Sequence, residues 1–125
     1  MPPAPEASVR ITLRLDFATS PKAPRMGRVG PGKIALLEAV AQDGSISAAA
    51  RTLGLSYRRA WLMIDEMNQL FRDPVVTAGA GGAKGGQASL TPLGSRLVTT
   101  YRELEAETAN SAAVRLLALA QDVTR

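Results

Sequence analysis

A chain of 125 residues, 46% of them apolar, can build one modest hydrophobic core but not two. It has no cysteine and no histidine, which excludes a disulfide framework, a thiolate metal site and the usual nucleophile–base pairs, so that a metal would find only scattered carboxylates. The net charge is +4, and no apolar run approaches the ~18–20 residues that span a bilayer.

The distribution of charge says more than its total. Residues 1–34 carry +4 and residues 74–100 carry +2 with no acid, whereas 35–73 and 101–125 carry −1 each. With only five aromatic residues and much alanine, the composition favours a helical domain with close, small-residue packing. No signal-peptide apolar core follows the start, so cytoplasmic residence is expected.

Residues 1–7, MPPAPEA, are proline-rich and expected to be disordered. Residues 8–15, SVRITLRL, alternate, with Val9, Ile11, Leu13 and Leu15 on one side, as in a half-buried strand. No hairpin partner adjoins it, because residues 17–32 are rich in Pro, Gly and basic residues and read as a connection. A short extended piece is possible at Arg25–Val29. The strand must therefore pair with something further away, either the later hairpin or a second subunit. The basic residues of the connection serve either as a solvated linker or in approaching DNA.

Pro31 suits the first turn of a helix running to about Gln42, with Ile34, Leu37, Val40 and Ala41 as its apolar stripe and Leu36 widening it. Gly44 ends it. Ser45 or Ser47 caps a second, short helix in which Ala49, Ala50 and Leu53 share a face. Gly54 follows where a left-handed conformation is cheap only without a Cβ, and Leu55 can fold back on the helix end. Ser56 then suits the cap of a third helix. An alanine four residues ahead of the turn glycine lets the helices cross closely, as in a helix-turn-helix.

At 100° per residue, Tyr57, Ala60, Met63, Ile64, Met67, Leu70 and Phe71 share the inner face of this third helix. Arg58, Leu62, Asp65 and Gln69 point outward, with Arg59 and Glu66 beside them and Trp61 and Asn68 on a shoulder. The first turn is basic and the later turns acidic. Asp73-Pro74 stops the helix.

Val75-Val76-Thr77 and Gln87–Thr91 are short strand candidates around a glycine-rich tip containing Lys84, the pattern of a hairpin wing. The tip, GAGGAKGG, is not a nucleotide-binding loop. Counted from Gly79, a P-loop needs glycine where Lys84 stands and lysine where Gly85 stands, and no register gives G-x-G-x-x-G. Thr91-Pro92 starts a last helical pattern running to about Gln121. Leu93, Leu97, Tyr101, Leu104 and Thr108 recur along it and Val114, Leu117 and Ala118 continue, with a break possible at Asn110-Ser111.

The motifs GSIS-x-AA, GLSYRRAW, DEMNQL, GG-x-KGG and LTPLG, and the following RL and Tyr101, resemble the N-terminal DNA-binding domain of the ModE family of molybdate-responsive regulators. The likeness runs from about Gly32 to Tyr101. It implies a mainly α, winged helix-turn-helix fold, distantly similar to that of LysR-type regulators, with a long C-terminal dimerisation helix. The organisation expected is a tail (1–7), an N-terminal strand and basic linker (8–30), a winged helix-turn-helix domain (31–91) and a dimerisation helix region (92–125). Full-length ModE proteins also carry molbindin domains that bind the oxyanion; 125 residues leave no room for them. A stand-alone DNA-binding domain without a cofactor is therefore expected.

The function so implied is not enzymatic: a transcriptional regulator binding a palindromic site on double-stranded DNA as a homodimer. The DNA-contacting set is Ser45, Ser47, Ser56, Tyr57, Arg58, Arg59, Leu62, Lys84, Gly85, Gly86 and Gln87. Arginine is the usual reader of guanine O6/N7, outward Leu62 suits a thymine methyl, and a glycine-rich tip lets Lys84 follow the phosphates. The competing reading is a winged-helix module that binds protein, which Asp65, Glu66 and the small net charge keep open.

Overall fold

The computed structural model describes residues 7–18, 26–79 and 87–123. The proline-rich tail up to Glu6, the connection 19–25 and the wing tip 80–86 lie outside the described residues. The described elements are β1 (Leu15–Ala18), β2 (Met26–Val29), α1 (Pro31–Asp43), α2 (Ile46–Leu53), α3 (Tyr57–Leu70), β3 (Val76–Ala78), β4 (Ala88–Leu90), α4 (Pro92–Ser111) and α5 (Ala113–Gln121).

Helix α1 is the hub. Ile34, Leu36, Leu37, Ala39 and Val40 are all buried, and Ala41, which the stripe placed inward, is exposed. A stripe assumes one packed side, but α1 meets α2, α3, α4, β2 and β4, so it is apolar around most of its circumference. Gly44 ends it at φ +77°, its amide bonding Val40 O at 2.9 Å.

The N-terminal expectation needs correction. Residues 7–14 form no ladder; the strand is β1, and within the chain it pairs antiparallel with β2, Leu15 opposite Val29 and Ala18 opposite Met26, rather than with the wing. The alternation was real, since Ile11, Leu13, Leu15 and Phe17 are half-buried between exposed neighbours, although Val9 is exposed. Alternation reports which side meets apolar surface and is silent about the ladder partner. Phe17 meets Phe71 edge-on, with centroids 5.2 Å apart.

Tyr101 of α4 is fully buried, and its hydroxyl donates to Leu13 O at 2.7 Å, tying the N-terminal segment to the core. Burial pushes that hydroxyl above its ordinary pKa, so it stays protonated and able to donate. One turn beyond, the inward stripe gives out and Leu104 is exposed. Arg102 grips both oxygens of Glu38, at 3.0 and 2.5 Å, and so clamps α4 to α1. The C-terminal helix is interrupted at Ala112 (φ −101°, ψ 5°), within two residues of the suspected break. Beyond it Val114, Leu117, Leu119 and Val123 are exposed, while Ala120 is buried.

The wing strands pair antiparallel, Val76 opposite Leu90 and Ala78 opposite Ala88. Val75, Val76 and Ala88 join the core cluster formed by α1, α2, α3 and α4. Three core helices with an antiparallel hairpin packed beside them make a winged helix-turn-helix.

Candidate nucleic-acid interface

The helix-turn-helix is set by local hydrogen bonds. Ser45 is the cap of α2, its Oγ accepting from Ala48 N at 3.0 Å; Ser47, the other candidate, instead accepts from Arg51 at 3.1 Å. At the far end Gly54 (φ +68°) donates to Arg51 O and Leu55 to Ala50 O, at 3.2 and 2.8 Å, the paired closure of a Schellman turn. Ala49 and Ala50 are buried in α2, which packs against both α1 and α3. Ser56 Oγ then accepts from Arg59 N at 3.0 Å and starts α3.

The first turn of α3 stands in solvent. Tyr57, Arg58 and Arg59 are exposed, the turn has no acid, and among the described residues neither guanidinium meets a carboxylate. The partial positive charge of the helix N-terminus adds to theirs. Tyr57 does not lie on the inner face, as helical angle alone placed it; it is 56% exposed. Leu62 and Trp61 are also exposed.

The acids of α3 are held aside. Glu66 bridges to Lys33 of α1 at 2.9 Å, and Asp65 accepts from Gln69 at 2.7 Å. They do not oppose the basic turn.

The wing is fastened at its base from three directions. Asn68 of α3 accepts from Val75 N at 2.8 Å and from Val76 N at 3.3 Å, and donates to Val76 O at 3.3 Å. Thr91 donates from its Oγ to Pro74 O at 2.7 Å, caps Gly94 N at 3.0 Å and donates its amide to Val75 O at 3.0 Å. Ala88 N bonds Gly44 O at 2.9 Å, and Ser45 bridges to Gln87. Gln87 is exposed at this base; Lys84, Gly85 and Gly86 lie outside the described residues.

Asn68 is the positioning residue that sequence reasoning passed over as a shoulder position. Its signal was an amide side chain in the last turn of a helix before Asp73-Pro74, a place where Asn often satisfies loose backbone groups. Asn68→Ala removes the partner of the Val75 amide and should cost about 1–3 kcal/mol. The urea midpoint should fall accordingly; a midpoint equal to that of the unmodified chain would show that water replaces the side chain fully.

A helix-turn-helix with an exposed basic first turn, flanked by an anchored wing, is the architecture of a DNA-binding regulatory domain. Residues 32–95 match the bacterial regulatory helix-turn-helix protein, lysR family, and the chain belongs to that family. It is 52% identical over 79 residues to the molybdenum-pterin-binding protein MopB of Rhodobacter capsulatus, covering 63% of this chain and 29% of that protein. It is 49% identical over 75 residues to the molybdenum transport protein ModE of Azotobacter vinelandii, covering 60% and 28%. Against the DNA-binding transcriptional dual regulator ModE of Escherichia coli (strain K12) identity is 46% over 71 residues, covering 57% and 27%. The likeness to ModE read from the motifs is thus shown, and the shared region spans less than a third of each of these relatives. No helix among the described residues is long and apolar enough to cross a membrane.

Proposed function

We propose that the chain is a sequence-specific transcriptional regulator of the ModE type, binding a palindromic operator on double-stranded DNA as a homodimer. The observation that carries the reading is the first turn of α3: two exposed arginines without carboxylate partners among the described residues, at a capped helix N-terminus beside a wing fixed by Asn68 and Thr91. In this reading residues 31–91 hold the DNA and residues 92–125 pair two copies. Tyr57, Arg58, Arg59 and Leu62 read base edges, Ser45, Ser47 and Ser56 lie near phosphate, and Lys84, Gly85, Gly86 and Gln87 follow the backbone from the wing. The reading assigns no cofactor and no catalytic step to these residues.

Arg58→Ala should weaken binding to the cognate duplex by about 1–3 kcal/mol and to random duplex by less. Equal losses on both would make Arg58 a phosphate contact. A salt titration on the intact protein tests the reading as a whole, because released counterions give log K a steep negative slope against log salt. A flat slope, or no complex at low salt, would favour a protein-binding module built on the same scaffold.

A further inference from the structure

Helix α3 exposes more apolar surface than an ordinary solvated face. Trp61 is 45% exposed and Tyr57 56%, with Leu62 at 37% and Leu53, at the end of α2, also at 37%. An open tryptophan forgoes the largest burial available to any side chain, and a cluster of exposed apolar groups usually marks a contact surface.

The position of Trp61 is informative. At 100° per residue it lies ~40° from Tyr57 and ~60° from Arg58, with Leu62 ~40° on the far side of Arg58. Arg58 therefore stands between two apolar side chains. Two turns further on and within ~20° of Trp61 comes Asn68, whose amide holds Val75 and Val76. Trp61 thus occupies the side of α3 whose later turn holds the wing's first strand, yet it stays outside the core cluster and 45% exposed. The core face belongs to Ala60, Met63, Ile64 and Met67.

We propose, resting on the DNA-binding reading above, that Trp61 is itself a DNA contact. Its indole packs against the apolar surface of the duplex, thymine methyl or deoxyribose, at the groove wall between α3 and the wing. The flanking charge selects this occupant over an apolar protein surface: burying Trp61 against such a surface would also bury Arg58, ~60° away and without a carboxylate among the described residues, whereas DNA offers phosphate beside methyl and sugar. Trp61 sits ~6 Å along the axis from Tyr57, about two base-pair steps, so the two rings meet different positions of one half-site.

The chain contains one tryptophan, so its emission reports on Trp61 alone. The probe is a duplex selected by the intact protein from a random-sequence library. Complex formation should shield Trp61 from acrylamide, and added salt should restore quenching. Trp61→Ala should weaken binding roughly tenfold and Trp61→Phe much less, with a melting temperature for Trp61→Phe close to that of the unmodified protein because the side chain lies outside the core cluster. Replacing thymine by uracil in the probe separates the two surfaces: a loss seen with the unmodified protein and absent in Trp61→Ala assigns the indole to the methyl, and equal binding assigns it to the sugar. A complex seen by mobility shift in which acrylamide access is unchanged, with Trp61→Ala binding as tightly, overturns the proposal and leaves the DNA-binding reading standing. Absence of a complex with any duplex at low salt overturns both.

Discussion

Gly94→Ala should destabilise the protein by about 3 kcal/mol, against the sign that helix propensity alone would assign. Gly94 lies in the first turn of α4, and replacing a helical glycine by alanine ordinarily gains about 0.5–1 kcal/mol. Here a Cβ would sit 2.1 Å from Val75 O and 3.0 Å from Val75 C. The obstacle is backbone, so no rotamer change relieves it and α4 must move away from the wing. That movement loosens the Thr91 bonds to Pro74, Val75 and Gly94 together, since all converge on the same junction. Overpacking typically costs 1–3 kcal/mol, and a rigid partner on which three hydrogen bonds depend puts this site at the upper end of about that range. Urea unfolding of Gly94→Ala, with exposed Ser95→Ala as the neutral neighbour, measures the difference. A gain in stability would show that the α4–wing contact is not as close as 2.1 Å implies.

Leu117→Glu should abolish dimer formation and lower operator affinity by roughly 10²–10⁴-fold without unfolding the chain, the factor by which linked binding of two half-sites exceeds single binding. Val114 is 82% exposed, Leu117 63% and Leu119 61%, so a charge at 117 meets water in the single copy. In a two-fold pairing the same charge would be buried without a partner, which is costly. Paired copies would set two first turns of α3 about one DNA turn apart, ~34 Å. Substitution is a cleaner test than cutting the chain after Glu107, because Leu116 lines a groove with Val9 and Ile11 and its removal would disturb the N-terminal segment. Light scattering gives the oligomeric state and a mobility shift gives the affinity. Intact protein that is monomeric at micromolar concentration and still binds tightly would rule the pairing out.

The basic first turn was legible in the residue order because it depends on Ser56, Gly54 and two arginines within six positions of one another. The wing-facing edge of α3 was not legible. That edge is defined by Asn68 bonding to residues seven and eight positions away through a turn whose path no propensity specifies. Tyr57 was misplaced for a related reason. Helical angle gives only the direction of a side chain, and it is the tertiary packing that leaves this one 56% exposed.

What the amino-acid order determined by itself are the features closed by hydrogen bonds between near neighbours: the caps at Ser56 and Thr91, the left-handed glycines 44 and 54, and the limits of α1, α2 and α3. Their energies reside within a few residues, so residue type and spacing specify them whatever the rest of the chain does. Tertiary structure alone decided the pairing of β1 with β2, the burial of α1 on nearly every side, the departure of Leu104 from the core, and the fastening of the wing by Asn68. Each depends on which surfaces meet. A side chain's neighbours are chosen by the summed burial and hydrogen bonding of elements far apart in the chain, as when Tyr101 reaches across to Leu13 to hold the N-terminal segment on α4.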